Sequence, residues 1–253
     1  MDHAKSVAAT RAAQFVETGM KVGLGTGSTA AFLVRRLGER VREEGLKITA
    51  VPTSVQTADL AREEGIELAT LDDVTWLDLT IDGADEFDGD LNLIKGGGGA
   101  LLREKIVATA SDRMIVIADA SKRVEKLGAF PLPVEVIPFG WKATKGLIED
   151  ALSGIAVLGQ EVSRRERDGA PFRTDEGNFI LDLHLKRIEN VRQLSLVLNQ
   201  IPGAVENGLF IDICQKAVIG HGDGRVELVD IYGKSEWEDG EDLDGSDNMF
   251  SDI

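Results

Sequence analysis

One cysteine and three histidines are spread through 253 residues, and both scarcities narrow the chemistry. Cys214 has no second thiol for a disulfide and no nearby metal-ligand partner, so it reads as a buried structural thiol. His3 is terminal, His184 sits in a strand pattern and His221 in a glycine turn, and each reads as structural. No apolar run approaches the ~20 residues that span a bilayer. The start, Met1-Asp2-His3-Ala4-Lys5, lacks the basic-then-apolar layout of a signal peptide, so a cytoplasmic location is expected. Positive charge is also short: 28 Lys and Arg against 44 Asp and Glu leave a formal charge of −16. Nucleic acid and anionic membrane would repel such a chain, and neither is an expected partner. To bind an anionic ligand, an acidic protein must build a local positive site, which directs attention to lysines beside glycine-rich turns.

What is present suits a globular enzyme: 43% hydrophobic residues supply a full core. Helical spacing over Ala4–Thr18 is followed by a short strand at Lys21–Leu24. A helix then carries Phe32, Leu33, Leu37 and Val41 on one face and ends at Gly45. Strands are expected at 48–51, 66–68, 77–81, 91–94 and 114–118, with helices at 55–64 and 99–110. Such β-α units predict an α/β fold with a doubly wound, mainly parallel sheet. After Phe130-Pro131-Leu132-Pro133, read as a connection, strands and helices follow in β-α-β-β-α-β order. A smaller ferredoxin-like α+β domain is therefore expected as an insertion. The expected boundaries are 1–127 plus 206–233 for the α/β domain and 128–205 for the insertion. From Lys234 to Ile253 stand eight acidic residues and one lysine, read as an acidic, mobile tail.

Four polar clusters each follow directly on an expected strand, and ligands in open α/β sheets bind beyond the carboxyl ends of strands. The first is Gly25-Thr26-Gly27-Ser28-Thr29, where a helix start offers N–H groups to an anion and three hydroxyls add donors. It lacks the lysine of a P-loop and the spacing of a dinucleotide fingerprint. Phosphate binding and a purely structural turn both fit it. The second, Asp82-Gly83-Ala84-Asp85-Glu86, reads either as a solvated acidic loop or as a site where Asp82 and Asp85 hold sugar hydroxyls and help move protons during ring opening. No histidine lies nearby, and oxygen-only metal sites supply more ligands than this loop does.

The third is Lys95-Gly96-Gly97-Gly98-Gly99, costly in conformational entropy and sensible where backbone N–H groups form a nest for an oxyanion. A flexible hinge is the alternative. On the next helix Glu104 has Ala100, Leu101, Val107 and Ala108 around it, so it is either paired structurally or a general base. Burial would raise its pKa, while Lys95 and the helix start would lower it. The fourth cluster is Ser121-Lys122, whose cation supplies what the first turn lacks, with Lys5 as a second candidate.

Together with Arg103-Glu104-Lys105, Ala118-Asp119-Ala120-Ser121-Lys122 and Phe130 to Pro138, these stretches resemble ribose-5-phosphate isomerase of the A type, in the right order over about Lys5 to Val229. The resemblance implies an aldose-ketose isomerase of the non-oxidative pentose phosphate pathway that works without metal or coenzyme. It implies Glu104 as the base that carries a proton between C2 and C1, with Asp82, Asp85 and Lys95 assisting ring opening. Gly96, Gly97 and Gly98 would hold the enediolate oxygen. Thr26, Gly27, Ser28 and Thr29 with Lys122 and Lys5 would hold the substrate, beside Gly83 and Ala84. The expected partner is a sugar phosphate, and the expected assembly is a homo-oligomer, dimer or tetramer. A sugar-phosphate sensor and an NAD-dependent oxidoreductase are the alternatives.

Overall fold

The computed structural model describes residues 2–239. The chain begins α1 (Asp2–Ala13), β1 (Lys21–Leu24), α2 (Ser28–Glu43), β2 (Thr49–Pro52), α3 (Val55–Glu63), β3 (Glu67–Leu68), α4 (Leu71–Val74) and β4 (Leu79–Gly83). The short strands β5 (Glu86–Phe87) and β6 (Leu93–Ile94) precede α5 (Leu101–Thr109) and β7 (Met114–Asp119). A second group follows: β8 (Leu132–Val136), α6 (Trp141–Leu152), β9 (Glu161–Arg164), β10 (Glu166–Arg167), β11 (Ala170–Pro171), β12 (Phe179–His184), α7 (Val191–Leu198) and β13 (Ala204–Asn207). The chain then returns through β14 (Leu209–Phe210), β15 (Lys216–Gly220), β16 (Val226–Asp230) and β17 (Ser235–Glu238).

The large sheet has the order β17-β16-β15-β7-β4-β1-β2-β3. Its strands from β15 to β3 are parallel, and β16 and β17 add antiparallel edges. Alternation along β7 sorts the core: Ile115 and Ile117 join the layer under α1 and α2, while Met114, Val116 and Ala118 join the opposite layer with Phe87 and Phe210. This is a doubly wound α/β sheet. The chain runs outward from β1 to β3 and then crosses back to β4 on the other side of β1. That reversal makes the carboxyl ends of β1 and β4 a topological switch point.

The inserted unit is ferredoxin-like, an antiparallel sheet β13-β8-β12-β9 covered by α6 and α7 around Ile148, Leu181, Leu183 and Leu194. Its sheet spans residues 132–207, so the expected break between 205 and 206 falls inside β13.

Four local expectations are corrected. Strand 91–94 does not join the large sheet. It is reduced to β6, which pairs antiparallel with β5 and β14 in a small sheet of its own. The last strand of the β-α-β-β-α-β order, expected near Val205 to Phe210, breaks at Gly208, where a Cβ would stand 2.4 Å from the Lys95 carbonyl oxygen. Pro133 lies within β8 rather than in a linker, its carbonyl accepting from Gly208 N–H at 2.8 Å. The acidic tail does not begin at 234: Ser235–Glu238 pairs with β16, and Arg11 forks onto the Glu238 carboxylate. The rest of the expected tail, residues 240–253, lies outside the described residues.

Close approach explains how α1 reaches the switch point. Its buried face is all alanine (Ala4, Ala8, Ala9, Ala12 and Ala13), thin enough to lie directly on β15. At Gly220 a Cβ would sit 1.8 Å from the Ala4 carbonyl oxygen. Gly220 is in register with Asp119 at the end of β7, so Lys5 and the Ser121-Lys122 turn are carried to the same end of the sheet.

Candidate active site

A cavity of about 120 Å³ opens at the switch point. Its wall brings together Lys5, the turn from Thr26 to Thr29, Gly83, Ala84, Asp85, Lys95, Gly96, Gly97, Gly98, Glu104 and Lys122. Of the residues to which the family resemblance gives a catalytic or substrate-holding role, only Asp82 is absent from the lining. It is fully buried just behind it.

Asp82 organises that wall from below. Its Oδ1 accepts N–H groups from Thr26 at 3.1 Å and Gly83 at 2.7 Å, which ties the ends of β1 and β4 together. Gly25 is required here, because a Cβ would lie 2.0 Å from Asp82 Oδ1. Gly25→Ala is therefore expected to lower kcat/KM by at least about tenfold and Tm by several degrees, the scale of overpacking a tight site. Initial rates and thermal melts check both, and a fully active, equally stable variant would contradict the packing.

Lys95 is 2% exposed and bridges two carboxylates. Its Nζ lies 3.0 Å from Asp82 Oδ2 and 3.2 Å from Glu104 Oε1, and donates to the Gly83 carbonyl at 2.5 Å. Burial alone would lower the ammonium's pKa, but the facing carboxylates of Asp82 and Glu104 outweigh it and hold the group above the usual lysine range. Asp82 is raised by its own burial, against the pull of Lys95. Glu104, on the first turn of α5, is pushed up to about 8 by burial and by the charges of Asp82 and Asp85, with Lys95 opposing. Its Oε2 is buried and has no hydrogen-bond partner among the described residues. The flanking cations point elsewhere. Arg103 pairs with Asp175 and Glu176, and Lys105 with Glu206.

The first-turn amides of α2 have no intrahelical acceptors, and its N-cap, Gly27 at φ 110°, supplies no side chain to cap them. Lys5 Nζ donates to Ser28 Oγ at 3.0 Å, placing a cation against that helix start. Opposite, Asp85 Oδ2 accepts the Gly97 N–H at 2.7 Å.

The model of the ribose 5-phosphate isomerase A (phosphoriboisomerase A) family matches residues 49–224. Ribose-5-phosphate isomerase A of Ruegeria pomeroyi is 67% identical over 253 residues, 100% of this chain and 97% of that protein. The solved ribose 5-phosphate isomerase A of Methanocaldococcus jannaschii gives a TM-score of 0.82 at 40% identity, covering 90% of this chain and 98% of that one. A D-ribose-5-phosphate isomerase in complex with phospho-erythronic acid gives 0.83 at 41% identity, covering 90% and 97%. The chain belongs to the ribose 5-phosphate isomerase A family.

Two side chains of these motifs are engaged by the protein itself. Thr26 lines the cavity, but its hydroxyl donates to Ser54 Oγ at 2.8 Å and lies 2.7 Å from Thr53 Oγ1, within a hydroxyl cluster that ends on the Gly25 carbonyl. Its side chain braces the turn instead of offering a free donor. Glu86, the last acid of its motif, faces away from the cavity and accepts N–H groups from Gly128 and Phe130, pinning the approach to β8.

The sequence reading also missed residues that support this isomerase site from outside the cavity wall. The Phe210 ring lies 5.5 Å from Lys95 Nζ and 5.0 Å from Lys105 Nζ. Arg165, between β9 and β10, donates to the carbonyls of Gly96 and Gly97. Neither had a local signal, since both arrive from distant segments of chain.

Proposed function

We propose that the chain interconverts D-ribose 5-phosphate and D-ribulose 5-phosphate, moving one proton between C2 and C1 through an enediolate with Glu104 as the base. The observation that carries this reading is the buried Oε2 of Glu104, without a hydrogen-bond partner among the described residues, in a cavity also lined by Lys5, Lys122 and the start of α2. A carboxylate raised to about 8 is basic enough to take a proton from carbon adjacent to a carbonyl. Lys5, Lys122 and the first-turn amides from Gly27 to Thr29 suit a phosphate dianion. Asp85 is placed to accept a sugar hydroxyl and assist ring opening, and Asp82 orients Lys95 from behind.

In the open-chain aldose, the C2 proton passes to Glu104. The electron pair of that C–H bond becomes the C1=C2 bond, and the carbonyl pair moves onto O1. Lys95 and the amide of Gly98 meet the developing negative charge. Glu104 then returns its proton to C1, O2 gives up its proton as the C2 carbonyl forms, and O1 gains one. No step calls on a metal or coenzyme. A homo-oligomer, dimer or tetramer, acting in the cytoplasm belongs to the same proposal; the exposed Phe139, Leu158 and Leu196 support association.

The test is direct: purified full-length protein, ribose 5-phosphate and chelator, with the ketose product followed continuously. Absence of ketose would overturn the reading, and activity that vanishes with chelator would overturn its metal-free step. Lys122→Ala is expected to raise KM for ribose 5-phosphate about tenfold while kcat changes by less than about threefold, the pattern of lost ground-state binding. Initial-rate kinetics check it, and a fall confined to kcat would place Lys122 outside phosphate capture.

A further inference from the structure

A run of four glycines has no side chains to fix its peptide planes, yet an oxyanion nest works only when its N–H groups are already aimed. Gly96 and Gly99 take φ of 101° and 89°, which glycine alone adopts freely, so local preference does not lock the run. The fixing group comes from the inserted sheet. Arg165 Nη1 donates to the carbonyls of Gly96 at 2.8 Å and Gly97 at 3.0 Å. The rest of its fork, Nε at 2.9 Å and Nη2 at 2.5 Å, grips the carboxylate of Asp182 on β12. The Arg165 side chain is 14% exposed and is not part of the cavity wall.

In a trans peptide the carbonyl and the following N–H point in opposite directions. Drawing the Gly96 and Gly97 carbonyls toward Arg165 turns the Gly97 and Gly98 N–H groups away from it, and those two glycines line the cavity. Gly97 N–H is held on Asp85 Oδ2, and Gly98 N–H has no acceptor among the described residues. The guanidinium also polarises both peptides, which strengthens their N–H groups as donors.

We propose that Arg165, locked by Asp182, is a positioning residue that aims the Gly98 amide as an oxyanion donor, with the Gly97 amide held on Asp85, and does so without touching the substrate. The inserted sheet thereby contributes to the chemistry of a site built on the other sheet. This inference rests on the proton-transfer reading of Glu104.

Arg165→Ala, Arg165→Lys and Asp182→Asn in the full-length protein test it. The measurements are kcat and KM for ribose 5-phosphate, inhibition by phospho-erythronic acid and by inorganic phosphate, and Tm. Arg165→Ala is expected to lower kcat on the order of 10²-fold, the scale of one lost oxyanion donor. Affinity for phospho-erythronic acid should fall in step, with inorganic phosphate affinity changed less than about twofold. Arg165→Lys should recover part of kcat, because one ammonium replaces only part of a planar fork, and Asp182→Asn should show a milder loss of the same kind. An Arg165→Ala variant with wild-type kcat overturns the inference. So does a loss that phosphate affinity and Tm share equally, which would mean general loosening. Turnover by the wild type with unaffected variants sinks this inference alone, whereas an inactive wild type sinks the isomerase reading beneath it.

Discussion

Glu104→Gln is expected to lower kcat by roughly 10²- to 10⁴-fold, with KM for ribose 5-phosphate within about threefold of wild type. The amide keeps the shape of the carboxyl group and loses only the ability to take the proton. The same substitution should raise Tm in alkaline solution. In the folded protein burial, then the charges of Asp82 and Asp85, push Glu104 to about 8 from an ordinary 4.5. The folded state therefore binds this proton more tightly than the unfolded chain does. Its contribution to stability is complete below pH ~4.5 and is lost as pH rises through about 8. Above that, the wild type holds a buried negative charge that glutamine lacks. Tm of the variant should exceed wild type at pH 9 and match it at pH 5. Wild-type kcat/KM should also climb through about pH 8 as Glu104 ionises. Near-normal kcat in the variant would remove Glu104 from the chemistry, and a larger Tm deficit at pH 9 than at pH 5 would contradict its environment.

The convergence of these groups was legible because topology does the work. Three of the four short polar motifs follow the parallel strands β1, β4 and β7, which end on one side of the sheet, while the Lys95 motif follows β6 of the small antiparallel sheet. The Gly25, Asp82, Lys95 and Lys122 segments meet there despite separations of up to about a hundred residues. Glu104 was legible for a different reason: a carboxylate among Ala100, Leu101, Val107 and Ala108 has to be explained on any helical wheel.

The rest was hidden for physical reasons. Leu93-Ile94 is a short apolar run, and nothing local distinguishes a parallel core strand from an antiparallel one in a small accessory sheet. The strand at Ser235–Glu238 is polar and glutamate-bearing, so composition masks an edge strand held by backbone pairing and by Arg11. Arg165 stands in a run of alternating charges, Arg164-Arg165-Glu166-Arg167-Asp168, that resembles any solvated hairpin. Only the fold reveals that one of these arginines turns inward to grip two carbonyls nearly seventy positions earlier. The direction of the Glu104 shift was likewise undecidable from sequence, since burial and Lys95 act in opposite senses and their balance depends on three-dimensional placement.

Lys95→Met should be the most damaging single substitution for stability, with a large loss of activity beside it. Methionine retains the apolar stem against Phe210 and deletes the charge. What remains is two buried carboxylates, Asp82 and Glu104, that formerly faced one ammonium at 3.0 and 3.2 Å, and a Gly83 carbonyl without its donor. Removing one partner from a buried ion pair costs about 3–5 kcal/mol, because the other charge stays buried without compensation. The carboxylates respond by holding protons more tightly, each already raised by burial in the wild type. A carboxyl group raised in the folded state loses its stabilising contribution as pH increases through its folded value. The deficit of Lys95→Met should therefore be largest above about pH 8 and shrink toward acid solution as the raised carboxyl groups take up protons. Loss of kcat should reach roughly 10²- to 10³-fold, the scale of a missing electrostatic contact to the enediolate. Adding Glu104→Gln to Lys95→Met removes one of the two repelling carboxylates. The double variant should regain part of the alkaline stability while staying inactive, so the two effects will not add. Thermal melts from pH 5 to 9 on both single variants and the double variant decide the matter. A Lys95→Met deficit that is independent of pH would mean that lost packing, not uncompensated charge, governs this centre.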